Sequence, residues 1–252
     1  MLTPDPSDYR LYRSQTALMA AVLRHVAQSG LTWHLVATTP ELKTLAAARK
    51  LHEKFYVLLE PKAWTLRRKA GLPVARLHLG PTPRGRVWPY VLLSDRKLSG
   101  ERMKNAKQKP LRWVAWRKDA WRPTYELRLD ERGKWSWYLV EAFYRELLEE
   151  ALYYADKASW PRLVGHMTTL GNLPAFRGVF LQLQDIKKRV MKRWGDRHLR
   201  NPTGHWKTPP WKKALEGWPA RPISPVRVYL YVDPEVDGDR PRTLGTWRSP
   251  EE

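Results

Sequence analysis

Apolar residues recur at helical spacing in four stretches of this chain and alternate at strand spacing in several others. Leu18, Val22 and Val26 share one face of residues 14–28, with Ser14 placed as an N-cap and Gly30 following the last turn, so a first helix is predicted there. Trp33-His34-Leu35-Val36-Ala37 is β-prone. Thr38-Thr39-Pro40-Glu41 then offers a helix start, and Leu45, Ala48, Leu51, Phe55 and Leu58 form the apolar stripe of a helix predicted over residues 41–59, a β-α unit.

Residues 74–79 and 87–93 read as two strands joined by the Pro- and Gly-rich 80–85. Residues 94–110 form a polar connection with little to bury, expected to be mobile unless a ligand orders it. Strands follow at 111–116 and 124–129, then a turn at Asp130-Glu131-Arg132-Gly133 leading into 134–138. Phe143, Leu147, Ala151 and Tyr154 mark a helix over 140–158, and Phe176, Phe180, Leu183, Ile186, Val190 and Trp194 mark another over 174–194, stopped by Gly195. Val226-Arg227-Val228-Tyr229-Leu230-Tyr231-Val232 alternates as a strand.

This order of elements predicts an α+β fold, with antiparallel sheet or sheets and helices packed on one face, in a ferredoxin-like arrangement or a relative of it. Residues 1–232 are read as one domain, divisible into subdomains of about 1–138 and 139–232, followed by an acidic, Pro-rich tail over 233–252. The longest apolar runs, such as Tyr90-Val91-Leu92-Leu93, fall far short of the about 20 residues that span a bilayer. The N-terminal stretch has no basic region followed by an apolar one, so a cytoplasmic protein without membrane partners is expected.

Composition sharpens this picture in two ways. Cysteine is absent, which excludes disulfides, thiolate metal sites and a cysteine nucleophile. Asparagine occurs only at positions 105, 172 and 201, a bias against thermolabile residues expected of a thermophile. The net charge of +21 is also concentrated, with residues 41–122 carrying +15 and residues 161–232 carrying +11 while the remaining segments are near neutral or acidic. Concentrated positive charge has a phosphate backbone as its natural counterpart.

Tryptophan falls beside this charge: Trp64 before Arg67, Arg68 and Lys69; Trp113 and Trp116 before Arg117 and Lys118; Trp121 before Arg122; and Trp206 and Trp211 next to Lys207, Lys212 and Lys213. Indole faces stack on unpaired bases while neighbouring cations hold phosphates. Trp113, on a strand, is expected in the core; Trp206 and Trp211, in a Pro/Gly-rich loop, are expected on a ligand. The nucleic-acid-binding candidates are therefore Arg67, Arg68, Lys69, Arg84, Arg86, Arg102, Lys104, Lys107, Lys109, Arg117, Lys118, Lys188, Lys192, Arg193, Trp206, Lys207, Trp211, Lys212 and Lys213. The expected partner is single-stranded or structured DNA or RNA, within a nucleoprotein complex of mobile-element, replication or defence type.

The alternative is an enzyme that cleaves or joins nucleic acid. Tyr154-Ala155-Asp156-Lys157 places a Tyr-x-x-Lys spacing on a predicted helix, similar to the nucleophile motif of HUH replication initiators and relaxases, in which a tyrosine attacks a DNA phosphate. The resemblance implies Tyr154 as nucleophile beside Lys157. That family also carries a His-apolar-His strand for a divalent metal, whereas Leu77-His78-Leu79 supplies one histidine. A metal-independent ribonuclease would need only a histidine with a tyrosine or lysine, for which His34, His78 and His166 are candidates. No histidine has a recognised metal-ligand spacing, and no phosphate-loop, dinucleotide or nucleophile-elbow motif occurs, so neither metal nor cofactor is expected.

Overall fold

The computed structural model of the chain describes residues 9, 11–59, 61–80, 86–199, 215, 217–219 and 222–223. These fall into two compact units, one reaching to Trp135 and the other beginning at Ser136. The expected strand at 226–232 and the tail at 233–252 lie outside the described residues.

In the first unit, helix α1 (Gln15–Ala27) is capped by Ser14, whose Oγ accepts from the Ala17 amide at 3.1 Å. It buries every residue from Ala17 to Leu23 together with Val26, which makes it a core helix rather than an amphipathic one. Strand β1 (Trp33–Pro40) leads through a 3-10 turn (Glu41–Lys43) into α2 (Thr44–Phe55). The helix predicted to run to residue 59 stops early. Tyr56 takes a left-handed conformation (φ 56°) as its C-cap, and Pro61 opens a separate helix α3 (Pro61–Lys69), the residue before a proline being disfavoured in α conformation.

Strands β2 (Ala75–Leu79), β3 (Val87–Ser94) and the two-residue β4 (Lys104–Asn105) complete an antiparallel sheet of order β2-β3-β1-β4. β3 lies between β1 and β2, its register running from Trp33↔Ser94 to Pro40↔Val87 on one side and from Ala75↔Ser94 to Leu79↔Tyr90 on the other. This β1-helix-β2-β3 run is the split βαβ of ferredoxin-like folds; the described connection from β3 to β4 carries no second helix. The register also assigns the faces. Leu35, Leu77 and Leu92 share the face that packs against Leu51 and Phe55 of α2, and His34, His78 and Val91 share the opposite face, where His78 meets His25 of α1. The α+β class holds, with a helix on each face of this sheet where the pattern alone had suggested one. Gly80 is fixed by packing: a Cβ there would lie 2.8 Å from the Pro89 ring, while its carbonyl accepts from Trp88 Nε1 at 2.7 Å.

The second antiparallel sheet has the order β5 (Leu111–Arg117), β6 (Ala120–Leu129), β7 (Trp135–Leu139). The second unit continues with α4 (Glu141–Asp156), α5 (Trp160–Gly171) and α6 (Arg177–Trp194), which ends in a π turn (Gly195–Leu199). α5, opened by Pro161, was not expected from the pattern. Gln182 locks α6 to the Leu139 backbone with two hydrogen bonds, accepting at 2.7 Å and donating at 3.1 Å. Gly178 approaches the backbone so closely that a Cβ would lie 2.4 Å from the Trp137 carbonyl.

Candidate nucleic-acid interface

Antiparallel pairing brings the start of β1, the end of β3 and the start of β2 to one end of the four-stranded sheet, since Trp33, Ser94 and Ala75 are in register. Two basic segments meet there: the last turn of α3, with Arg67, Arg68 and Lys69, and the connection from β3 to β5. The connection is not the loose loop expected. Leu98 and Met103 belong to the core cluster formed with Phe55 and Leu92, Ala106 is buried, and the Ala106 amide donates to the Thr32 carbonyl at 2.7 Å beside the β4 pairing. Three apolar side chains thus hold residues 95–110 against the sheet and keep their charged neighbours outward.

The cations at this end have two kinds of surroundings. Arg68 donates to the Ser29 carbonyl at 2.6 Å and lies 4.0 Å from Asp95; Arg96 donates to the Gly71 carbonyl at 2.9 Å and lies 3.5 Å from Asp95. Arg67 donates to the Pro73 carbonyl at 3.1 Å, with its guanidinium 4.3 Å from the Tyr56 ring centre. These arginines tie α3 to the sheet. Lys69, Lys97, Arg102, Lys104, Lys107 and Lys109 are exposed, and no acid among the described residues pairs with them. The two local acids are already engaged: Asp95 accepts from the Val74 amide and faces both arginines, and Glu101 pairs with Lys54 at 3.1 Å. Among the described residues, the positive charge of this end is therefore left without a paired acid.

The other candidates are dispersed. Arg86, a positive-φ residue whose carbonyl accepts from the Glu41 amide, precedes Val87 at the opposite end of the sheet. Arg117 and Lys118 lie at the tip of the β5–β6 hairpin. In the second unit Arg193 is 3.7 Å from Asp156, while Lys188 and Lys192 are exposed one turn apart on α6. Arg84, Trp206, Lys207, Trp211, Lys212 and Lys213 lie outside the described residues. Trp113 is 1% exposed, a core residue as expected.

The candidate catalytic groups are placed very differently. His78 is 1% exposed and forms a buried chain in which the Tyr12 hydroxyl is 2.6 Å from its Nδ1 and its Nε2 is 3.2 Å from Nδ1 of His25. Burial, then the charges of Arg76 and Arg24, push His25 down to about 4; burial also pushes His34 down to about 4 and His78 well below its usual value. With the rings neutral, each imidazole has one donor and one acceptor nitrogen, so the Tyr12–His78–His25 chain can be satisfied without a charge. Both His34 and His78 are interior polar groups on the face of the sheet away from α2. Sequence reasoning missed His25 and Tyr12 because positions 12, 25 and 78 meet only through the tertiary fold.

No family model, curated protein or solved structure matches this chain.

In the second unit the Tyr154 hydroxyl donates to Glu150 at 3.1 Å, and this hydrogen bond, followed by the carboxylate's charge, raises its pKa. A phenol held as donor to a carboxylate is a poorer source of phenolate, the form that attacks phosphorus. Lys157 follows the helix end, its Nζ 6.0 Å from the Tyr153 ring centre, and His166 is fixed by the Leu147 carbonyl at 3.1 Å. Among the described residues no group of three or more His, Asp or Glu side chains is arranged to hold a metal, and no helix is long and apolar enough to cross a membrane.

Proposed function

We propose that this protein binds nucleic acid by its phosphate backbone, at the end of the four-stranded sheet where the last turn of α3 meets the segment 95–110. One observation carries the reading: Lys69, Lys97, Arg102, Lys104, Lys107 and Lys109 are exposed along one anchored edge, no acid among the described residues pairs with them, and the neighbouring acids Asp95 and Glu101 are already engaged. A polyanion supplies the missing counter-charge, and because Leu98, Met103 and Ala106 hold the backbone in place, little ordering entropy opposes the contact. The chain acts as a binding protein rather than as a catalyst, in the cytoplasm of a heat-adapted organism and as a component of a nucleoprotein complex of mobile-element, replication or defence type. The nearest chemical groups to a catalyst, His34 and His78, are enclosed, which favours binding over turnover.

The test is a salt titration of binding to labelled single-stranded DNA, duplex DNA and hairpin RNA, with the products resolved on a denaturing gel with and without Mg²⁺. Each phosphate contact contributes roughly 0.7 to 0.9 to the log–log slope, so a slope near −5 with intact strands is expected. Salt-insensitive binding, or none, contradicts the phosphate reading; cleaved or protein-linked product contradicts the non-catalytic one.

A further inference from the structure

Helix α3 is built inside out. Of residues 62–69 none is buried, and only Trp64 and Arg67 are half-buried. A surface helix ordinarily turns its aliphatic side chains toward the core and its cations to solvent. Here Trp64, Arg67 and Arg68 make the inward contacts. The guanidinium carbons of Arg68 and Arg76 lie 5.1 and 5.4 Å from the centre of the Trp64 ring, and Arg67 and Arg68 donate to the carbonyls of Pro73 and Ser29. Leu66 is left 61% exposed, with Ala63 and Ala70 open on the same face at helical spacing.

The end of the helix sets a second leucine beside the first. The Gly71 amide (φ 71°) donates to the Arg68 carbonyl at 3.0 Å and the Leu72 amide to the Arg67 carbonyl at 3.1 Å, the paired bonds of a Schellman motif. That motif brings the residue after the glycine toward the fourth residue from the helix end, here Leu72 toward Leu66. Leu72 is itself 45% exposed. Two backbone hydrogen bonds thus fix an apolar knob on the surface. Lys62 and Lys69 lie one turn to either side of Leu66, and Arg96, by donating to the Gly71 carbonyl at 2.9 Å, joins the knob to the 95–110 edge, where Lys97 follows.

The surroundings decide what the knob fits. Lys62, Lys69 and Lys97 are exposed around it, and the neighbouring acid, Asp95, is engaged by Arg68 and Arg96. Two leucines fall far short of the about 800 Å² that each partner contributes to a stable protein interface. They match instead the apolar wedge with which groove-binding proteins open a base step while cations hold the neighbouring phosphates. We infer that Leu66 and Leu72 form a wedge that enters a weakly stacked step of base-paired nucleic acid, at a mismatch or bulge, with Lys62, Lys69 and the 95–110 edge on the flanking phosphates. The inference rests on the phosphate-binding reading and deepens it by naming the structured form of the ligand. A step already loosened by a mismatch or bulge costs less to open than a perfect one.

The experiment compares the wild type with Leu66→Ala/Leu72→Ala and with Leu66→Met/Leu72→Met. Anisotropy is measured on labelled DNA duplexes of about 20 base pairs, perfect or with a central mismatch, and on RNA hairpins with and without a bulge. Thermal melts of each variant verify folding. The wild type is expected to bind the mismatched or bulged form on the order of tenfold tighter than the perfect one. The alanine variant should bind the two forms alike, the methionine variant should keep most of the preference, and all three should share one salt slope. The DNA and RNA pairs identify which nucleic acid supplies the step. A wild type without preference in either pair, or an alanine variant that keeps it, overturns the wedge and leaves the basic edge standing. A salt slope that falls together with the preference shows the leucines to be supports for Lys69 and overturns the wedge as well. Self-association of the wild type that the alanine variant loses assigns the knob to a second copy, with the same consequence. A wild type that binds none of the probes overturns the phosphate reading and the wedge with it.

Discussion

Two stretches of this chain carry similar positive charge and meet it in opposite ways. On α6, Lys187 donates to the carbonyls of Leu215 and Trp218 at 3.0 and 2.6 Å, Arg189 pairs with Asp185 at 2.7 Å, and Arg193 faces Asp156. Most of that cationic charge is spent on holding the second unit together, leaving Lys188 and Lys192 exposed. Along 95–110 the proportions reverse: the local acids are taken up by Lys54, Arg68 and Arg96, and Lys97, Arg102, Lys104, Lys107 and Lys109 face solvent. Charge counted along a sequence therefore measures potential, and only the surroundings of each side chain decide what remains for a ligand.

The largest expected effect that separates the two regions is acid destabilisation of the first unit. His25 and His34 are held down to about 4 in the folded state, so between pH 6.5 and 4 the unfolded chain takes up protons that the folded chain refuses. Stability is then full above pH 6.5 and falls as the pH drops toward 4, by roughly 3 kcal/mol for each histidine. Urea melts from pH 8 to pH 4 measure this, and a flat profile would show that the rings are not neutral in the fold.

Next in size, Leu98→Ala should cost about 3 kcal/mol and loosen the basic segment, seen as faster amide exchange over 95–110. Lys187→Ala should cost about 2 kcal/mol by leaving two carbonyls without their charged donor, with little change in nucleic-acid affinity. The smallest effect is expected of Lys188→Ala/Lys192→Ala, which should leave stability unchanged and alter the salt slope little. A large loss of binding in that variant would move the interface to α6.

The sequence made the class of fold readable wherever a local signal coincided with burial: Ser14 caps α1, and the strands at 33–40, 75–79 and 87–94 follow their apolar runs, whereas Gly195 keeps helical angles and leads α6 into the π turn rather than stopping it. It failed where tertiary contacts decide. Leu98, Met103 and Ala106 are too few and too irregularly spaced to look like an anchored segment, yet each finds a buried place. Pro61 and Pro161 open helices that a stripe search passes over, because α3 is short and largely polar and α5 begins directly after Ser159. For the site, residue types were legible and their availability was not. Arg67, Arg68 and Lys69 are equal in sequence, but the two arginines are bound to carbonyls and an aromatic ring while the lysine is exposed. The bulge at Thr124 is likewise invisible until the register of two strands is known.

The most direct test of the central claim compares the salt dependence of nucleic-acid binding for Arg102→Ala/Lys104→Ala/Lys107→Ala/Lys109→Ala with that of Lys188→Ala/Lys192→Ala. The account predicts that the first variant loses about three units of log–log slope, in keeping with four lost phosphate contacts, while the second keeps the wild-type slope. Equal slopes for the first variant and the wild type would contradict it and place the phosphate contacts elsewhere on the chain.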